Sequence, residues 1–209
     1  MAWPTQLPLV AILRGIRPEE AMAHARALHA AGFDTLEVPT NSPDWADSVR
    51  AIAAALPGAL VGAGTVLDGQ HLADTQAAGG RLAVSPHVDV ALVREAVGRG
   101  MFCLPGAMTA SEVFAAAQAG AHGVKIFPAS TLGPGHVRAL RAVLPSAFPL
   151  LAVGSVSPHN LADYLAAGCV GAGLGGELYR PGQTPETTGA NAEAFVQAYN
   201  AFRGHRAPT

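Results

Sequence analysis

Lysine is almost missing from this chain: of its thirteen lysines and arginines, only Lys125 is a lysine. Charge as a whole is scarce, with 13% charged residues and a formal net charge of −2. No run of basic residues appears, which excludes a nucleic-acid or anionic-membrane surface and points to a small-molecule partner. There are two cysteines, Cys103 and Cys169, both in apolar runs without metal-type spacing. They read as reduced core thiols rather than a disulfide, which fits the cytoplasm. Gly, Pro or charge interrupts every apolar stretch before membrane-spanning length, and Met1 to Gln6 lacks the basic and apolar regions of a secretion signal, so the chain reads as soluble. The eight histidines show no His-x-His or His-Glu-x-x-His spacing, and neither a metal site nor a cofactor site is read from them. His87 reads as solvated loop, and Trp45 as packing its own helix.

What remains is a 209-residue chain, 50% hydrophobic, expected to form one domain over residues 1–209. Glycines that end helices recur at Gly32, Gly58, Gly79, Gly100, Gly120 and Gly168, most of them roughly 20 to 26 residues apart, slightly under the length of a βαβ unit. Short apolar runs predict eight strands: Leu9 to Gly15, Thr35 to Pro39, Leu60 to Thr65, Leu82 to Pro86, Phe102 to Gly106, Val124 to Pro128, Leu150 to Gly154 and Val170 to Gly175. Helix starts are expected at Pro18-Glu19-Glu20, Ser42-Pro43-Asp44, Thr109 to Glu112 and Ser157 to Asn160. Thr109 and Glu112 have capping-box spacing. A last helix is expected over Pro185 to Phe202, followed by a frayed tail from His205 to Thr209. Eight strand–helix units with strands apolar on both faces predict a single (β/α)8 TIM barrel. A doubly wound open sheet competes with it, but no dinucleotide glycine fingerprint follows the first strand.

In such a barrel the chemistry sits at the C-terminal ends of the strands. Lys125 lies there in Val124-Lys125-Ile126-Phe127-Pro128. Burial there lowers an ammonium's pKa and leaves a nucleophilic amine, unless the head simply snorkels to water. Glu37 is the acidic residue inside a strand at that end. Two unpaired buried charges are costly, so the pair is expected to share one site. An amine that condenses with a ketone forms an iminium, which draws the electrons of a neighbouring carbon–carbon bond into an enamine while a carboxylate moves protons. The structural alternative for Glu37 is an ion pair with Lys125 or Arg14. Arg14 suits the carboxylate of an α-keto acid, or else forms a rim salt bridge. Thr65 either bonds that carboxylate or caps the helix beginning near Asp68. Phe127 shields the lysine or is a core aromatic. Gly154, Ser155, Gly175 and Gly176 end the last two strands, where barrels build phosphate cups from backbone N–H groups.

These residues resemble the class I 2-keto-3-deoxy-6-phospho-sugar-acid aldolases, the family holding KDPG and KDPGal aldolases, over about Leu9 to Phe202. The motifs that carry the resemblance are Leu36-Glu37-Val38, Val61-Gly62-Ala63-Gly64-Thr65-Val66, Val84-Ser85-Pro86, Leu104-Pro105-Gly106 and Val124 to Pro128. The resemblance implies Lys125 as the Schiff-base residue and Glu37 as the proton shuttle. It also implies carboxylate binding by Arg14 and Thr65, a pocket including Phe127, Val153 and Pro86, a homotrimer, and no metal. Pro39-Thr40-Asn41-Ser42-Pro43 and Gly173 to Gly182 are similar to the galactonate branch. KDPG aldolases usually have an arginine where Asn41 stands, and in that branch a hydroxyl-binding side chain is usual at Val153, where valine cannot make that bond. The substrate so implied is 2-dehydro-3-deoxy-6-phosphogalactonate, a phosphorylated keto acid. Its gluconate-derived epimer and a phosphosugar isomerase or epimerase on the same barrel are the alternatives. The family more often has Gly-Gly at Gly154-Ser155 and Gly-Ser at Gly175-Gly176.

Overall fold

The computed structural model describes residues 3–204, so the expected frayed tail lies outside the described residues. Parallel strands alternate with helices along the chain. In order these are β1 (Leu9–Ile12), α1 (Pro18–Ala30), β2 (Thr35–Pro39), α2 (Trp45–Ala55), β3 (Leu60–Gly64), α3 (Gly69–Ala77), β4 (Leu82–Val84), α4 (Val90–Gly98) and β5 (Phe102–Leu104). There follow β6 (Gly106–Ala107), α5 (Ala110–Gln118), β7 (Val124–Ile126), α6 (Ala129–Arg141), β8 (Leu150–Val153), α7 (Leu161–Ala167), β9 (Gly171–Leu174) and α8 (Pro185–Gly204).

The sheet runs β5-β4-β3-β2-β1-β9-β8-β7-β6. Its two ends are halves of one strand, expected as Phe102 to Gly106 but broken at Pro105, which has no N–H to give the ladder. The break still carries the pairing across: Ser85 N donates to the Leu104 carbonyl at 3.3 Å and Lys125 N donates to the Pro105 carbonyl at 3.0 Å. Eight strand positions therefore close into the (β/α)8 barrel.

Alternation along the strands separates two apolar layers. Leu9, Ala11, Leu36, Val38, Val61, Val124, Ile126, Leu150 and Ala172 pack outward under the helices in the main core. Val10, Leu82, Val84, Leu104 and Leu151 point inward and fill the barrel. Trp3 packs beneath them with Leu60 and Phe102, its ring edge-on to Phe102 at 5.3 Å, and closes the N-terminal end of the barrel. Cys103 and Cys169 are free and buried, and burial pushes both thiols up to about 12. Trp45 packs partly buried against the outer core and edge-on to His71. His87 is exposed.

The helix starts show where the sequence signals act. Pro18 opens α1. Thr109 and Glu112 form the capping box of α5, with Glu112 Oε2 accepting from Thr109 N at 2.8 Å and from Met108 N at 2.9 Å. These hydrogen bonds hold the Glu112 carboxyl below the usual range. Ser42 does not cap α2. Asp44, at φ +43°, stands at that position, and Ser42 Oγ instead accepts from Gly15 N at 2.9 Å. The α7 start likewise moves to Asn160, whose side chain accepts from Ser157 N.

Thr109→Ala removes one half of the capping box and is expected to lower unfolding stability by about 1 kcal/mol. Urea denaturation measures this, and an unchanged midpoint contradicts the role of the cap.

Candidate active site

Lys125 on β7 and Glu37 on β2 belong to the inward-facing set. Strand register places Lys125 beside Gly106 and Leu151, and Glu37 beside Ile12 and Gly62. Both are buried, at 8% and 3% exposure, so Lys125 does not snorkel to the surface. Among the described residues neither Glu37 nor Lys125 is in an ion pair within 4.0 Å, and Glu37 Oε2 is buried without a hydrogen-bond partner. The structural ion pair that competes for Glu37 is therefore absent. Lys125 Nζ lies 5.0 Å from the centre of the Phe127 ring.

Electrostatics follow from this burial. Loss of hydration raises the Glu37 carboxyl to about 7, against the opposing pull of Lys125 and then Arg14. Loss of hydration also lowers the Lys125 pKa, which Glu37 partly restores and Arg14 depresses further. Glycines make the space. A Cβ on Gly64 would collide with the Glu37 carboxylate, and one on Gly106 would lie 2.9 Å from Lys125 Cε.

Above these two side chains opens a cleft of about 260 Å³. It brings together the residues expected to catalyse, to bind carboxylate and phosphate, and to wall the pocket: Arg14, Glu37, Thr65, Pro86, Lys125, Phe127, Val153, Gly154, Ser155, Gly175 and Gly176. Below them a void of about 10 Å³ is walled mainly by Val10, Val84, Leu104 and Leu151, so the site has an apolar floor.

The rim is polar and built by loops. Arg14 is exposed and donates from Nη1 to Asn41 Oδ1 at 2.7 Å and from Nη2 to Thr65 Oγ1 at 3.5 Å. Among the described residues it forms no salt bridge. Asp68, not Thr65, caps α3, accepting from His71 N at 2.9 Å. Thr65 and Ser155 both adopt left-handed backbone, each at φ +54°. That conformation is unfavourable for a β-branched residue and marks strain held at the cleft. Asn160 Nδ2 donates to the Ser155 carbonyl at 3.0 Å and helps fix that turn.

Sequence reasoning passed over Asn160 and also Glu177, which lines the cleft and pairs with Arg180 at 3.3 Å. A helix-start signal around Ser157 marked the first residue, and the second lies in the Gly173 to Gly182 stretch, which gives it no role of its own. Among the described residues no group of three or more His, Cys, Asp or Glu side chains is arranged to hold a metal ion. No helix there is long and apolar enough to cross a membrane.

A lysine and a carboxyl buried at the C-terminal end of a (β/α)8 barrel, under a polar cleft, define a site suited to carbonyl chemistry. Comparison with known proteins gives the chain its family. The family model for KDPG and KHG aldolases matches residues 3–187. The 2-dehydro-3-deoxy-6-phosphogalactonate aldolase of Escherichia coli K12 is 52% identical over 200 residues, covering 95% of this chain and 98% of that protein. The KHG/KDPG aldolase of the same organism is 37% identical over 161 residues, covering 76% of this chain and 75% of that protein. A solved structure described as native KDPGal superposes with a TM-score of 0.96 at 50% identity, covering 98% of this chain and all of that one. The chain belongs to the KDPG and KHG aldolase family. It is a carbon–carbon lyase, which leaves the isomerase or epimerase alternative without support.

Because folding raises the Glu37 pKa, the folded state holds this proton more tightly than the unfolded chain. The stability associated with the protonated form is present below about 4.5 and is lost as pH rises through about 7. Glu37→Gln imitates the protonated form and removes that loss. Relative to the parent it is expected to gain about 2 to 3 kcal/mol of unfolding stability between about pH 5 and pH 8. A stability difference that stays constant over this range contradicts the raised pKa.

Proposed function

We propose that this chain is a cytoplasmic class I aldolase that reversibly cleaves 2-dehydro-3-deoxy-6-phosphogalactonate to pyruvate and D-glyceraldehyde 3-phosphate. The observation that carries this reading is the position of Lys125, dehydrated at the floor of a cleft that also holds Glu37. The neutral Nζ attacks the C2 carbonyl of the keto acid, and loss of water leaves an iminium. Glu37, with a pKa near neutrality, supplies and takes protons in that dehydration. The iminium then accepts the electrons of the C3–C4 bond as the C4 hydroxyl gives up its proton, releasing the aldehyde. Protonation of the enamine at C3 and hydrolysis free pyruvate and regenerate the amine.

Arg14 and Thr65 hold the carboxylate in this reading, and Phe127 and Pro86 wall the imine. Backbone N–H groups of Gly154, Ser155, Gly175 and Gly176 receive the phosphate. Val153, 7% exposed, presents no hydroxyl to the C4 oxygen. The side chain that favours the gluconate-derived epimer in related aldolases is thus replaced by an apolar one, which supports the galactonate substrate. The high identity to the Escherichia coli galactonate enzyme points the same way.

We further read the chain as one catalytic domain that works as a homotrimer. The exposed apolar side chains Leu67, Met108 and Phe114 support an interface between copies. A designed cage made by fusing symmetric oligomeric domains contains a region 50% identical to this chain, with a TM-score of 0.95.

Borohydride added with pyruvate is expected to fix a pyruvyl adduct on Lys125, seen by mass spectrometry, and Lys125→Met is expected to lose both the adduct and turnover. An unmodified Lys125 in an active enzyme overturns the mechanism. With the chemistry established, kcat/KM on the two epimeric phosphorylated keto acids decides the branch. The galactonate-derived substrate is expected to be preferred by at least about tenfold, the lower end of what a small change in an apolar pocket contact commands. A preference for the gluconate-derived epimer reverses the assignment. EDTA is expected to leave turnover unchanged, because the lysine serves as the electron sink.

A further inference from the structure

The β2–α2 loop carries three consecutive polar residues, Thr40, Asn41 and Ser42, and each ties down part of the carboxylate-binding rim. Thr40 Oγ1 donates to the Thr65 carbonyl at 2.7 Å, and Thr40 N donates to the Gly64 carbonyl at 2.8 Å. Ser42 Oγ accepts from Gly15 N at 2.9 Å, directly after Arg14. Between these anchors Asn41 Oδ1 accepts from Arg14 Nη1 at 2.7 Å. Asn41 itself does not line the cleft, whereas Arg14 and Thr65 do.

We propose that Asn41 is a positioning residue for the substrate carboxylate, acting through Arg14. The inference rests on the aldolase reading above, in which Arg14 receives that carboxylate. An exposed arginine is free to sample many rotamers, and a ligand that fixes it loses affinity for that reason. Asn41 sets one rotamer before substrate arrives. Its carbonyl occupies one Nη1 hydrogen, and Thr65 Oγ1 stands near Nη2 at 3.5 Å, so the guanidinium is held at both terminal nitrogens where it lines the cleft. Thr40 and Ser42 hold the loop backbone, so the position of Asn41 is fixed independently of Arg14. Asparagine supplies an acceptor without charge. A carboxylate there would pair with Arg14 and repel the substrate's own carboxylate, and an arginine would push Arg14 away.

The test is a double-mutant cycle read by the pyruvate concentration that gives half-maximal borohydride trapping on Lys125. Asn41→Ala is expected to raise this concentration roughly five- to tenfold, the effect of one lost hydrogen bond of ordinary net strength. Its thermal midpoint and its KM for glyceraldehyde 3-phosphate should stay at the parent values. Arg14→Ala is expected to raise the half-saturating pyruvate further, and Asn41→Ala added to Arg14→Ala should change nothing more. If the two effects multiply, Asn41 acts independently of Arg14 and the proposal fails. It fails equally if Asn41→Ala alone leaves pyruvate saturation unchanged. If Arg14→Ala leaves saturation unchanged while trapping on Lys125 persists, the carboxylate assignment of Arg14 is wrong, and the role of Asn41 falls with it.

Discussion

A lysine and a glutamate occupy a barrel interior otherwise made of Val, Ile, Leu and Gly, and they are not within ion-pair distance of each other. Burial opposes charge on both, while their mutual attraction favours it. At each residue burial has the larger effect: the Glu37 carboxyl rises to about 7 and the Lys125 amine is lowered. The result is an amine easier to deprotonate than an ordinary lysine and a carboxyl able to give or take a proton near neutral pH. Both states are needed for imine formation, and a close salt bridge would suppress both by holding the charged forms.

The rest of the fold maintains that separation. Parallel strands rigidly fix the two side chains on β2 and β7, and closure across the Pro105 break brings β6 beside Lys125. Glycines at Gly64 and Gly106 leave space where any Cβ would press on the carboxylate or the lysine stem. Beneath, Val10, Leu82, Val84, Leu104 and Leu151, closed by Trp3, wall the interior from water at the N-terminal end. Strain appears in the loops rather than the strands: Thr65 and Ser155 carry left-handed backbone at the cleft, held by Thr40 and Asn160. In the proposed reading chemistry is thus placed on strands, and recognition on loops whose turns are fixed by neighbouring polar side chains.

Much of this was readable in one dimension because the governing signals are local. Apolar runs bounded by glycine mark the strands, and a lone lysine and a glutamate inside two such runs stand out against the composition. The β5–β6 break was not foreseen, although Pro105 stood in plain view, because an apolar run does not reveal which of its backbone groups the neighbouring strands require. Ser42 looked like a helix cap by type and position. Tertiary structure gave its hydroxyl to Gly15 N, and Asp44 took the helix start. Asn41 stood out only as a position where related aldolases carry arginine, Asn160 only as part of a helix start, and Glu177 only inside a longer similar stretch, because their contacts are with Arg14, with the Ser155 turn and with the cleft. Those contacts exist only once separate loops meet.

The central claim is that the Lys125 amine is easier to deprotonate than an ordinary lysine, and the composition makes it directly measurable. With one lysine in the chain, lysine labelled with carbon-13 at Cε gives a single side-chain resonance whose pH titration needs no assignment. The account predicts a midpoint below the ordinary value of 10.5, moving lower still in Glu37→Gln, where the carboxylate that favours the ammonium is gone. A midpoint at or above 10.5 in the parent, unmoved by Glu37→Gln, contradicts it.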